Sequence, residues 1–112
     1  MTKRDYKLYL NDIKESIVQI EKYIQNISED EFKKNKQIQD AVIRRLEIIG
    51  EASRNIPRSL KEKNKRVPWS DMAQFRDFIA HSYFDLSIIT LLRTVKERLP
   101  KIKEALKNTS LV

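Results

Sequence analysis

Apolar residues recur along this chain in steps of three and four. Tyr6, Leu10, Ile13, Ile17, Ile20, Ile24 and Ile27 follow that rhythm, which lines one face of an α-helix. Thr2 and Asp5 have capping-box spacing, with Asp in place of the usual Glu or Gln. The expected first helix therefore runs from Thr2 to Ile27, a rod about 37 Å long. So long a seam calls for a long partner helix, a second subunit, or both. Ser28 and Glu31 form a second capping box, which opens a short acidic turn through Phe32.

A second long helix is expected from about Lys36 to Ile56, with Ile38, Val42, Leu46, Ile49, Ser53 and Ile56 on its inner face. Ile43 and Ile48 fall off that stripe, so the helix is either central in a bundle or shared with a partner. Gly50, the only glycine, sits inside it at a cost of about 1 kcal/mol relative to alanine. A close helix crossing is the expected compensation. Pro57 ends this helix or opens a short turn after it. Further on, Ser70 reads as the N-cap of a third helix over about Asp71 to His81. Asp85 can cap a fourth, where Ile88, Leu92, Val95, Leu99, Ile102 and Leu106 resume the period. Pro100 should kink or restart it. The expected fold is all-α: an up-and-down bundle of four principal helices with short extra segments, one domain over 1–112.

Composition narrows the functions. With 40% apolar and 35% charged residues in 112, the chain is ordered but polar for its size. It has no cysteine and one histidine, His81, which excludes disulfides, thiolate metal sites and a cysteine nucleophile. No apolar run approaches a membrane span, and no apolar leader follows Met1. The expected setting is cytoplasmic, with no cofactor. The net charge of +7 favours a polyanionic partner. Arg54, Arg58, Lys61, Lys63, Lys65 and Arg66 are opposed within their window only by Glu62. They make either a solvated loop or a patch that tracks phosphates.

The densest cluster of reactive groups is Arg76, Asp77, His81 and Tyr83. Asp77 and His81 are four apart and so are neighbours on a helix, where the carboxylate can orient the imidazole. Arg76 and His81 lie about 140° apart around an ideal helix, flanking a groove rather than stacking. Arginine offers donors for a phosphate, and histidine moves a proton near neutral pH. The alternative is structural: Arg76 pairs with an acid on a neighbouring helix and His81 is a satisfied polar residue. Glu47 and Glu51, also four apart, read as an ion-pair face with Arg44 and Arg54 in preference to a metal pair. Trp69, Phe75, Phe78 and Phe84 could stack bases, but core or staple roles fit them better.

Arg76, four residues, His81, one residue and Tyr83 match the R-x-x-x-x-H-x-Y signature of HepT-like toxins in the HEPN superfamily. The run from Ala41 to Ala52, with Ile48-Ile49-Gly50-Glu51-Ala52 at its core, resembles that family's second conserved block. The resemblance implies a HEPN-like fold and a metal-independent ribonuclease acting as a two-fold homodimer. Its antitoxin would be a small nucleotidyltransferase. It also implies that Arg76 and His81 form the catalytic pair, that Asp77 supports them, and that Tyr83 is the tyrosine such antitoxins modify with AMP. A non-catalytic HEPN-type dimer that binds a nucleotide or a protein is the alternative.

Overall fold

A computed structural model describes the backbone of residues 5–82 and 87–108, and the side chains of 5–80 and 87–108. The described residues form six helices: α1 (Tyr6–Ile24), α2 (Glu29–Lys34), α3 (Lys36–Arg54), α4 (Arg58–Lys63), α5 (Trp69–Ser82) and α6 (Ile88–Lys107). The four principal helices are α1, α3, α5 and α6, as expected, and α2 and α4 are single short turns between them. α3 is the central element, packing on α1 to one side and on α5 to the other.

The helix ends follow their capping chemistry. Asp5 is the N-cap of α1, its carboxylate accepting from the Lys7 amide at 2.9 Å; the Thr2 half of the expected capping box lies outside the described residues. α1 stops at Ile24, three residues short of the expected end, because Asn26 adopts a left-handed φ of 59°. Asparagine tolerates that conformation and the helix cannot continue through it. Ile27 still packs on the core, from a turn instead of a helix. The Ser28–Glu31 capping box is present in full, with Ser28 Oγ accepting from the Glu31 amide at 3.0 Å and Glu31 accepting from the Ser28 amide at 3.3 Å. Phe32 anchors α2 in the interior.

α3 ends at Arg54, two residues before the expected Ile56, and Pro57 becomes the N-cap of α4. Most of the basic segment is thus helical or flanks a helix instead of forming an open loop. α5 begins at Trp69, two residues before Asp71. Ser70 is not its cap: the Pro68 carbonyl already accepts from the Met72 amide at 3.2 Å. The Ser70 hydroxyl accepts from Gln74 instead, at 3.3 Å. Ser87 caps α6 through the Thr90 amide at 3.5 Å; Asp85, expected in that role, lies outside the described residues. α6 runs through Pro100 without restarting. Pro100 is exposed, so the carbonyl it deprives of a donor can turn to water.

The core is built on the expected stripes of α1, α3 and α6, joined by Met72, Phe75 and Leu91, which no expected stripe contained. Leu10, Ile13, Ile17 and Ile20 of α1 meet Val42, Leu46 and Ile49 of α3, closed by Met72 and Phe75 of α5 and by Leu91, Leu92, Val95 and Ile102 of α6. Ile43 packs at the margin of this core, and Ile48 is half-buried. Phe75 is buried, while Trp69 and Phe78 pack against the core, so these aromatics are structural; Phe84 lies outside the described residues. No described helix is long and apolar enough to cross a membrane.

Candidate functional site

Gly50 decides how α5 is presented. A Cβ built there would lie 2.9 Å from Arg76 Cβ, 3.2 Å from the Arg76 amide nitrogen and 3.3 Å from the Met72 carbonyl oxygen. The backbones of α3 and α5 therefore meet at a glycine, where any side chain would push them apart. The expected close crossing is present, and its partner is Arg76 itself. Ser53, one turn on, ties its buried hydroxyl to the Gly50 carbonyl at 2.9 Å.

From that crossing the Arg76 side chain reaches back across α3, and its Nη1 meets Glu51 Oε2 at 2.9 Å. Both side chains are about half exposed, at 48% and 59%. A pair so wet adds at most about 1 kcal/mol to stability. Its effect is positional. Arginine carries five N–H donors, so one contact to Glu51 leaves donors free to face solvent.

Asp77 follows Arg76 on the exposed surface of α5. His81 lies in the last turn of α5, placing its backbone one turn beyond Asp77. Its side chain is outside the described atoms, and Tyr83 is outside the described residues.

Glu51 is the residue that local sequence reasoning misassigned. The four-residue spacing of Glu47 and Glu51 suggested pairing with Arg44 and Arg54. Arg44 does pair with Glu47 at 3.6 Å, but the partner of Glu51 is Arg76, 25 residues away in sequence. The alternative reading of Arg76, that it pairs with an acid on a neighbouring helix, is met by this contact, and the glycine in the same five-residue block pointed to the crossing. Among the described residues no group of three histidine, aspartate or glutamate side chains converges to hold a metal ion.

The basic residues adjoin this site along α3. Arg54 lies one turn beyond Glu51, about 5 Å further along the axis, and is exposed. Arg58, Lys63, Lys65 and Arg66 are also exposed, and Arg58 pairs with Glu62 at 3.3 Å. Lys61 is half-buried. Its ammonium is held below the ordinary lysine range, first by burial and then by the nearby Arg54 guanidinium. Two cations crowded together in this way favour the approach of an anion.

Residues 13–109 match the family described as Ribonuclease HepT-like. The protein named "Probable ribonuclease HepT" of Thermococcus cleftensis is 46% identical over 101 residues, covering 90% of this chain and 92% of the relative. "Putative RNase MJ1380" of Methanocaldococcus jannaschii is 47% identical over 104 residues, covering 93% and 95%. A third relative, the M. jannaschii "Gamma-glutamylcyclotransferase and putative RNase MJ0434", is 45% identical over 91% of this chain, which spans only 46% of that longer protein. No solved structure matches the chain. Two relatives matched over nearly their full length, together with the family match over most of the chain, place it: this chain belongs to the HepT-like ribonuclease family.

Proposed function

We propose that the chain is a single-domain endoribonuclease toxin of a toxin–antitoxin pair, cleaving RNA through Arg76 and His81 without a metal. The observation that carries this reading is Arg76, fixed over the Gly50 crossing by Glu51 yet half exposed, on the helix that bears His81 five residues on. Arg76 holds the scissile phosphate through its free donors. An imidazole takes the proton from the ribose 2′-hydroxyl, and the 2′-oxygen attacks phosphorus as the bond to the 5′-oxygen breaks. A second acid returns a proton to that leaving oxygen. Each chain has one histidine, so a two-fold homodimer facing both motifs into one groove supplies both groups. Asp77 supports His81, and the segment Arg54 to Arg66 guides the RNA backbone.

The antitoxin in this reading is a small nucleotidyltransferase that adds AMP to Tyr83. A phosphate tethered two residues from His81 is drawn to Arg76. Tethering gives an effective concentration of about millimolar, enough to exclude substrate. The experiment is cleavage of a mixed RNA pool by wild type, His81→Ala and Arg76→Lys, with light scattering of each. Wild type should cleave as a dimer, and His81→Ala should lose on the order of 10²–10⁴ in rate. Undiminished cleavage by His81→Ala overturns the assignment. Intact-mass analysis after co-expression with the nucleotidyltransferase should show AMP on wild type and none on Tyr83→Phe.

A second reading has one observation in its favour. The Arg76–Glu51 ion pair also suits a purely structural arginine in a non-catalytic dimer that binds a nucleotide or a protein. In that case Arg76→Lys keeps the pair, and neither it nor His81→Ala changes any RNA signal.

A further inference from the structure

α1 and α6 run antiparallel, but they are not zipped together. Two half-open hollows of about 250 Å³ and 530 Å³ lie between them. The first is bounded by Lys14 to Val18 and Lys103 to Lys107, the second by Val18 to Gln25 and Val95 to Lys103. Val18 and Lys103 line both, so the hollows adjoin end to end, with the Lys103 side chain between them, as one groove along the seam. It extends about 16 Å along α1 and about 18 Å along α6. Its floor is aliphatic, made by Ile17, Val18, Leu99 and Leu106. Val18 is 43% exposed, one of two large apolar side chains so open to water among the described residues.

The rims are basic. Lys103 bridges the groove to Glu21, with Nζ 3.1 Å from one carboxylate oxygen. Lys14, Lys22 and Lys107 line the groove without an ion pair among the described residues. Glu21 is the only acid in the lining, and Lys103 neutralises it.

The geometry points to a docking groove for an acidic amphipathic helix of another protein, about three turns long. Charge and shape select that occupant. A second copy of this groove would set lysine against lysine. A nucleic acid strand would find neither aromatic faces nor donors for its bases on an aliphatic floor. A single-headed anionic lipid places its charge at one end, whereas these ammonium groups stand on both rims and at both ends. A helix with leucines on one face and carboxylates on both flanks meets all of them and covers Val18. A carboxylate of the partner then competes with Glu21 for Lys103. The inference is independent of RNA cleavage, since no residue of the Arg76 site takes part.

The test is fluorescence anisotropy with a labelled 14-residue peptide carrying leucine at positions i, i+3, i+7 and i+10 and glutamates on both flanks. The controls are a scrambled peptide of the same composition, an RNA oligonucleotide and anionic vesicles. The proteins are wild type, Lys14→Glu/Lys107→Glu and Val18→Asp, each checked for an unchanged melt. Wild type should bind the amphipathic peptide about tenfold more tightly than the scrambled one, and each variant should lose about tenfold. Equal binding of the two peptides, or variants that bind like wild type, overturns the proposal. So does a loss in the variants confined to RNA or to vesicles. Lys22→Glu, at the far end of the groove, supplies the same reading should either first variant fail to fold.

Discussion

The α3–α5 crossing and the α1–α6 seam are built from the same alternation of threes and fours, yet one is closed and the other open. At the crossing a glycine removes the side chain that would hold the helices apart, and backbone meets Arg76 Cβ directly. At the seam, valine, leucine and lysine side chains stand between the helices and leave a groove. α6 is seated instead by its own buried stripe and by α2, through the paired hydrogen bonds of Arg93 to Glu29 at 2.7 and 2.9 Å. Periodicity decides which face turns inward. The size of one residue at the point of contact decides whether two faces close.

The most damaging change should therefore fall on the crossing. Gly50→Val places a branched side chain where even a Cβ meets Arg76 Cβ and the α5 backbone, neither of which is a flexible tip. Overpacking of this kind costs about 3 kcal/mol. Gly50→Ala should cost less, since alanine regains about 1 kcal/mol of helix propensity. Urea denaturation of both variants checks the order. If Gly50→Val is as stable as wild type, the crossing is looser than its geometry indicates.

The two regions also mark how much could be read from the chain alone. The inward stripes of α1, α3 and α6 and the Ser28–Glu31 box were legible, because each depends on residues within a few positions of one another; the close approach was legible only from the Gly50 side, since its partner Arg76 lies 26 positions on. The short turn that Pro57 opens was legible too, but its helical form as α4 was not: of its residues Leu60 alone is apolar, so no stripe reveals it. The start of α5 was misplaced because Ser70 has the right chemistry for a cap, while a backbone carbonyl already fills the role. In the candidate site Arg76, Asp77 and the basic patch were visible as types in a spacing. The contact from Glu51 to Arg76 depends on how two distant helices cross, which no local pattern encodes. The groove beside α1 was hidden for the same reason.

A subtler change to the crossing is Glu51→Gln, which leaves the helices in place but frees Arg76 to swing. Given the proposed role of Arg76, cleavage should fall by about tenfold to a hundredfold, as expected for a misplaced binding group. The urea midpoint should move little, because the pair is exposed. A large loss of stability with unchanged cleavage would mean that the ion pair is only a strut.

On the α1 side, Ser16 is fully buried, and its hydroxyl has no hydrogen-bond partner among the described residues. Ser16→Ala removes an unsatisfied polar group and adds a better helix former, so it should stabilise the fold by about 1 kcal/mol. A destabilised variant would show that the hydroxyl has a partner after all, such as an ordered water.

The smallest effect belongs to the pair that seats α6. Hydrogen bonding from Arg93 holds the Glu29 carboxyl below its ordinary range against the opposing effect of desolvation, with the positive charges of Arg93 and Lys96 assisting. A carboxylate whose pKa is depressed in the folded state adds stability above its unfolded pKa, and that stability is lost as pH falls through the folded value. Glu29→Gln should therefore melt slightly below wild type at neutral pH, and the two should converge in acid. Both partners are substantially exposed, at 68% for Arg93 and 45% for Glu29, so salt should narrow the neutral-pH gap as well. A gap that persists at low pH and high salt would point to packing of the Glu29 side chain in place of charge. α6 would then be held by shape at α2 as well as along its own buried stripe.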